Sequence, residues 1–326
     1  MTLLTGKRVL VTGGAGFIGS SICHDLLERG NEVVCLDNFA TGKKENIKDL
    51  RGNPGFRLID GDIRDPETCN KAVKGVDVVL HQAALGSVPR SIADPATTNA
   101  VNINGFLNML IATRDAGIRR FVYASSSSVY GDSPELPKVE ERTGKVLSPY
   151  AVTKLVNEEY ARVFGSLYGM ETMGLRYFNV FGRRQDPNGP YAAVIPKFTM
   201  AFMKHDSPVI NGDGSNSRDF TYIDNVVLAN NLAATVENPA AFNQAYNIAC
   251  GDSVNLNEMT SLLRSYLAEK DPKIAAVNPQ HGPNRAGDIP HSMASIGKAV
   301  RLIGYKPQVL FSDGLHRAVE WYVDNL

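Results

Sequence analysis

The sequence predicts an α/β protein: a doubly wound parallel sheet, followed by a smaller C-terminal α/β domain that receives a substrate. Three observations predict it. Short apolar runs rich in Val and Ile alternate with amphipathic stretches through the first half of the chain, a glycine-rich turn closes the first of these runs, and the alternation breaks down after Asn179. Strands buried on both faces read as near-continuous apolar runs, and alternation with helices is the pattern of parallel βαβ units.

In order, the strand-like runs are residues 8–11, 32–36, 56–59, 76–80, 121–124 and 174–177, and the longest helical patterns between them are 18–29, 95–116 and 149–168. Residues 182–191 and 211–217 are turn-rich, and 312–323 reads as a last amphipathic helix carrying Trp321. The expected division is a nucleotide-binding domain over 1–178, to which the chain returns at about 222–249, with 179–326 mainly binding substrate.

Length and charge narrow the function. At 326 residues with 43% hydrophobic residues the chain can bury a sizeable core. Lys plus Arg and Asp plus Glu are both 34, so no net field draws the chain to nucleic acid or an anionic membrane, and a small anionic ligand fits better. Cys23, Cys35, Cys69 and Cys250 lack the close spacing of zinc or redox motifs, so no metal site is expected and the thiols are read as reduced. The apolar run at 9–11 is far too short for a signal core or a membrane span, and the expectation is a cytoplasmic protein.

The first strand runs into Gly13-Gly14-Ala15-Gly16-Phe17-Ile18-Gly19 and then a helix. Free backbone N–H groups and the positive helix end would face a pyrophosphate there: Gly13 permits the tight turn, Gly16 the approach of backbone to phosphate, Gly19 close helix packing. The second strand ends in Asp37, where a carboxylate would hold ribose hydroxyls and repel a 2′-phosphate, which favours NAD over NADP. Asp62 and Ile63, after the third strand, would flank the adenine.

Ser125, Ser126, Ser127 and Ser128 follow the fifth strand, at the carboxyl end where doubly wound sheets bind ligands. Tyr150 and Lys154 lie four apart on one face of a helix that Ser148 and Pro149 open. A free Tyr, with a pKa of about 10, is a poor base at neutral pH, but an ammonium and a positive nicotinamide ring both favour phenolate. Tyr150 would then take a hydroxyl proton while hydride leaves the same carbon, with Ser126 relaying the proton. Tyr266 and Lys270 repeat the spacing without a serine-rich strand end before them, and read as an ordinary helix face. His81 reads as a hydrogen-bonded core histidine.

Residues 12–20 with Asp37, the run Ser125–Gly131, and Tyr150-x-x-x-Lys154 resemble the extended short-chain dehydrogenase/reductases, whose nucleotide domain is the Rossmann fold. The stretches 176–179, 183–189, 193–197, 211–222 and 285–288 are similar to those of nucleotide-sugar 4-epimerases, above all the bacterial UDP-N-acetylglucosamine 4-epimerases. This resemblance implies a retained NAD, a UDP-hexose substrate, a 4-keto sugar that turns over and is re-reduced on its other face, and a homodimer joined through the helices 95–116 and 149–168. It implies that Phe17, Ile18, Asn38, Gln82, Ala83, Ala84, Asn102 and Tyr177 complete the cofactor site. On the substrate side it implies Asn179, Val194, Lys197 and Asn211 around the uridine, Arg218 and Arg285 on the diphosphate, and Gly86, Ser87, Ser127, Ser128, Gln185, Asp288 and Ser292 around the sugar.

From the residues alone, Arg218 beside Asp219 and Arg285 near Asp288 are equally compatible with ion pairs. Ser292 is small where a bulky residue in galactose 4-epimerases limits room for an N-acetyl group. Gly86 departs from the Lys often found there in glucose-type enzymes. A dehydratase would need acidic residues where Ser127 and Ser128 stand. A UDP-uronic acid 4-epimerase remains an alternative, and so, from a different class, does a non-catalytic dinucleotide sensor.

Overall fold

The computed structural model describes residues 3–188, 192–284 and 290–326. Its centre is a seven-stranded, wholly parallel sheet of β1 (Arg8–Thr12), β2 (Glu32–Asp37), β3 (Phe56–Asp60), β4 (Val78–His81), β5 (Arg120–Ser126), β6 (Glu171–Tyr177) and β7 (Gln244–Ile248). The spatial order is 3-2-1-4-5-6-7. The six expected strands are all present, five with ends within two residues of the run that predicted them and β6 starting three residues before its run, and the seventh comes from the returning chain.

The period of two along each strand sends side chains to two separate cores. Val9, Val11, Val33, Cys35, Val78, Leu80 and Val122 join the core shared with α1 (Phe17–Glu28), α4 (Ile223–Thr235) and α5 (Phe311–Asn325). Leu10, Val34, Leu36, Val79, Phe121 and Tyr123 face the other way, onto α2 (Phe106–Asp115) and α3 (Pro149–Tyr168). Full burial of each such aliphatic side chain stabilises by roughly 1.5–3 kcal/mol. The strand order reverses between β1 and β4, so a crevice opens at their carboxyl ends.

The α3 helix forms as its caps dictate. Ser148 Oγ accepts from Ala151 N at 3.2 Å, Pro149 opens the first turn, and Gly169 closes the helix in the left-handed region at φ 66°. The predicted helix over 95–116 is broken: α-helix over Pro95–Asn99, a π-helical stretch Ala100–Gly105, then α2. A Cβ on Gly105 would lie 2.6 Å from the Ile63 side chain, so this stretch packs against the wall of the crevice.

Beyond β6 the elements are short. Val180–Phe181 pairs with Thr221–Tyr222, Ser217–Arg218 lies between Val254–Asn255 and His291–Ser292, and Val209–Asn211 pairs with Gln280–Gly282. Asp219, fully buried, fastens these pieces to the sheet: its carboxylate accepts from Cys250 N at 2.9 Å, Gly251 N at 3.0 Å and Ala294 N at 3.2 Å. Burial pushes this carboxyl up to about 6 against the three donors that hold it down. Among the described residues no helix is long and apolar enough to cross a membrane.

Asp219→Ala strands three amide donors at once, those of Cys250 and Gly251 part-buried and that of Ala294 buried. The expected loss is roughly 3 kcal/mol or more of stability, read as a lower urea midpoint, with Asp219→Asn intermediate because one amide oxygen still accepts. An Ala variant as stable as the parent would refute the fastening role.

Candidate functional site

The crevice holds a cavity of about 370 Å³. Its walls are the turn after β1 (Gly13, Gly16, Phe17, Ile18, Gly19), the end of β2 (Asp37, Asn38), the turn after β3 (Asp62, Ile63) and the chain after β4 (Gln82, Ala83, Ala84, Gly86). All the residues expected to bind cofactor lie on this wall except Asn102, Tyr150, Lys154 and Tyr177.

The fit to a dinucleotide is tested by space. Gly13 sits at φ 66°, and a Cβ there would lie 2.8 Å from the backbone of Ala83. A Cβ on Gly19 would collide with the Gly13 carbonyl oxygen. Gly16 is the N-cap of α1 and offers no side chain to its first amides, which are left for a phosphate group. Asp37 accepts from Ala15 N at 2.9 Å through one oxygen and from Phe39 N at 2.7 Å through the other, so the carboxylate is aimed and keeps lone pairs for hydroxyl donors. Burial raises its pKa. Asp62 is held by Arg64 at 2.7 Å and by Asn38 at 2.8 Å; its hydrogen bond from Arg64 is the main cause that lowers it to about 2.

Two side-chain networks escaped the sequence. At the inner end Gln82, Tyr177 and Asn230 close a ring: Gln82 Nε2 donates to Asn230 Oδ1 at 3.0 Å, Asn230 Nδ2 to the Tyr177 hydroxyl at 2.9 Å, and that hydroxyl to Gln82 Oε1 at 3.0 Å. Tyr177 therefore supports the cavity wall with its hydroxyl committed. Thr12 Oγ1 meets His81 Nδ1 at 2.9 Å and accepts from Ala83 N at 3.2 Å, and burial lowers His81 to about 3, so it stays neutral in the core as expected. The signal for Asn230 was its place beside Asn231 within the apolar stretch Val226–Ala234 of the helix. Asn102 donates to Leu85 O at 3.1 Å and Thr153 Oγ1 at 3.1 Å and accepts from Leu85 N at 2.8 Å, which ties the chain after β4 to α3.

Ser126, Tyr150 and Lys154 meet where the end of β5 packs on the first turns of α3. Ser126 Oγ accepts from Ser128 Oγ at 2.9 Å and from Ser128 N at 3.2 Å. Both its lone pairs are used, so its proton is free to donate, and it hydrogen-bonds Tyr150, which favours the phenolate. Lys154 Nζ donates to Ala124 O at 2.7 Å and lies 5.9 Å from the centre of the Tyr150 ring. Burial lowers Lys154 to about 8, and burial raises Tyr150 above its usual value. Burial thus opposes both ionised forms, and the hydrogen bond from Ser126 is the contact that favours the phenolate. The repeat at Tyr266 and Lys270 is elsewhere, with the Tyr266 hydroxyl 2.7 Å from Ser312 Oγ.

On the substrate side the register sets Ser292 beside Arg218. Arg218 Nη1 donates to Ser217 O at 2.9 Å and Pro290 O at 3.2 Å, and the neighbouring Asp219 spends its carboxylate on the three amides described above. Ser87 and Asn179 occupy positive φ, 96° and 34°, without being glycine, an uncommon backbone state that recurs at ligand sites. Ser87 caps the helix Val88–Ala93, and Asn179 Nδ2 donates to Asp219 O at 3.0 Å. Gln185 donates to Val180 O at 3.1 Å and leaves Oε1 buried without a partner among the described residues. Val194 and Lys197 lie in the first turn of Val194–Met203, and Asn211 ends a strand paired with Gly282. Arg285 and Asp288 lie outside the described residues.

Comparison with known proteins agrees with this geometry. Residues 9–249 match the model of the NAD dependent epimerase/dehydratase family. A UDP-glucose 4-epimerase of Mycolicibacterium smegmatis is 34% identical over 97% of this chain and 98% of its own. The UDP-N-acetylglucosamine 4-epimerase of Methanobrevibacter ruminantium, solved with UDP-N-acetylmuramic acid, superposes with a TM-score of 0.92 at 38% identity, covering 99% of this chain and 100% of that one. The UDP-glucuronic acid 4-epimerase of Bacillus cereus, solved with UDP-glucuronic acid and NAD, gives 0.87 at 30% identity over 98% and 100%. The chain belongs to the NAD dependent epimerase/dehydratase family, and NAD is its cofactor. Within that family it stands among the NAD-dependent nucleotide-sugar 4-epimerases.

Gly19→Ala should fold yet purify without bound nucleotide, checked by releasing NAD from denatured protein; NAD retained at the parent level would refute the close-packing argument. Turnover should fall as pH rises through about 8, where Lys154 loses its charge, and Lys154→Arg, which keeps its charge, should lack that alkaline limb. An unchanged limb in the Arg variant would assign it to another group.

Proposed function

We propose that the chain interconverts the C4 epimers of a UDP-hexose, with UDP-N-acetylglucosamine and UDP-N-acetylgalactosamine as the pair, through a transient 4-keto sugar. Ser126, Tyr150 and Lys154 are its catalytic residues. NAD, when bound, would supply the acceptor and later the donor of the C4 hydride, so no external oxidant would be consumed. Tyr150 as phenolate takes the O4 proton, directly or through Ser126, whose hydroxyl gives its own proton to the phenolate as it accepts the sugar's, and the Lys154 ammonium favours the phenolate form. Between the half-reactions the keto sugar turns about its phosphate linkage; Arg218, with Arg285, would hold the diphosphate by forked hydrogen bonds.

The observation that carries the N-acetyl assignment is Ser292. It stands on the strand beside Arg218, so a residue next to the diphosphate anchor presents a hydroxymethyl group where a larger side chain would fill space. The likeness to the Methanobrevibacter enzyme supports the same substrate. The Bacillus enzyme keeps UDP-uronic acids as the second reading, with Ser and Arg side chains as donors to the carboxylate.

We further propose a cytoplasmic homodimer that serves polysaccharide synthesis. Val152, Val163 and Leu167 are 44%, 37% and 68% exposed, and they recur at helical spacing along one face of α3 with Tyr168 beside them, an apolar stripe suited to a second copy. Reduced thiols at all four cysteines suit that compartment.

Given UDP-N-acetylglucosamine and no added NAD, the purified protein should form UDP-N-acetylgalactosamine, followed by NMR beside UDP-glucose and UDP-glucuronic acid. Turnover of the uronic acid alone would replace the substrate; no turnover without added NAD would remove the closed redox cycle. Tyr150→Phe should fold, keep NAD and lose nearly all turnover, about 10²-fold or more, and retained activity would remove it as the base.

A further inference from the structure

Four serines follow one another at the end of β5, and only Ser126 is placed against Tyr150. A strand sends successive side chains to opposite faces, so Ser125 must point away from Ser126. It does so into a buried charge cluster: Ser125 Oγ donates to Glu158 Oε1 at 2.5 Å. Glu158 lies one turn beyond Lys154 on α3, and Lys154 donates to Ala124 O. Two consecutive residues of β5 are therefore gripped by two consecutive turns of the helix that carries Tyr150.

We propose that Glu158 is a positioning residue of the proton-transfer site: with Ser125 it makes the second of two clamps that fix the register of α3 on β5, and thereby hold Tyr150 at Ser126. This rests on the assignment of Tyr150 as the base.

The carboxylate cannot swing away. Arg176 grips it with Nε to Oε1 at 2.9 Å and Nη2 to Oε2 at 2.8 Å, and the two side chains are only 10% and 6% exposed. A buried pair of this kind is weak evidence for stability, because apolar residues of the same volume do that job as well. What apolar residues lack is direction, and each remaining bond of the cluster is directional. Arg176 Nη1 donates to the Tyr130 hydroxyl at 3.0 Å, and Tyr130 to Asn247 Oδ1 at 2.6 Å. Asn247 Nδ2 in turn donates to Lys138 O and Ser295 O, each at 3.0 Å. Ser295 closes the short segment that begins at Ser292. One connected set of bonds thus runs from the catalytic helix to the chain beside the expected sugar site.

The same carboxylate acts on Lys154 through space. The groups facing that ammonium are Glu158 on its own helix, the Tyr150 ring, the Ala124 carbonyl from β5, and His81 from β4, which is neutral. Glu158 is the one negative charge among them, and it raises Lys154 against the lowering effect of burial.

The test compares Ser125→Ala, Glu158→Gln and Tyr150→Phe as purified full-length enzyme, measuring kcat, KM for the UDP-hexose turned over, bound NAD, melting temperature and the pH profile. Ser125→Ala keeps every charge, so kcat should drop about tenfold with KM, NAD content and the alkaline limb unchanged. Glu158→Gln removes the charge that supports the ammonium, so kcat should fall further and the limb should move to lower pH. Should the Gln variant fail to fold, Ser125→Ala decides alone: an unaltered kcat overturns the proposal. Parallel loss of kcat, NAD and melting temperature with an unmoved limb would show a merely structural pair and also overturn it. If Tyr150→Phe stays active, the assignment of the base fails; if it is inactive while both other variants match the parent, only the positioning role fails.

Discussion

At Gly19, α1 comes so near the turn after β1 that the first atom of any side chain would occupy the place of the Gly13 carbonyl oxygen. That contact fixes where the helix begins, and so where its unpaired amides point. It also brings Gly13 against Ala83, which closes the floor of the crevice between β1 and β4. Asp37 and Ser126 each lie at the carboxyl end of their strand, β2 and β5, so strand length sets where each is placed. Beneath it, Gly14 leaves room for the thiols of Cys35 and Cys23, a Cβ there falling 2.5 Å and 3.2 Å from their sulfurs.

Charge management is the second theme. The site places a lysine and a tyrosine in a dry setting where burial works against both ionised forms. Each ionised form has one contact that favours it: the Glu158 carboxylate one turn away for the ammonium, and the Ser126 hydroxyl for the phenol.

The strands of the sheet were legible because apolar runs flanked by glycine and polar turns have few other uses, and α3 because Ser148, Pro149 and Gly169 mark its ends. The cofactor loop was legible for the same local reason: its glycines are contiguous. The π-helical turn at Ala100–Gly105 was not, since nothing in a continuous helical pattern announces one extra residue in a turn. The ring of Gln82, Tyr177 and Asn230 joins residues as much as 148 positions apart, and the fastening by Asp219 depends on where loops after β7 come to rest. Arg218 and Ser292 were picked by resemblance and proved neighbours in register, a relation no local pattern in either stretch contains. The acidic partner of Arg176 was the near miss: Glu158 sits four residues past Lys154 in plain view, but helical spacing alone marks many such pairs.

The ring through Asn230 has a consequence for how the molecule comes into being. The nucleotide half is not complete when its first six strands have been made. Asn230 braces the cavity from α4, and β7 must arrive to cover the outer edge of β6, whose residues are nearly all buried. A nascent chain that stopped near residue 178 would present a bare apolar strand edge, the kind of surface that recruits other chains into sheets. Synthesis must run on through the elements beside the expected substrate site before the first half can settle. A cut near residue 178 would therefore leave the sheet without its seventh strand and the cavity without the brace of Asn230.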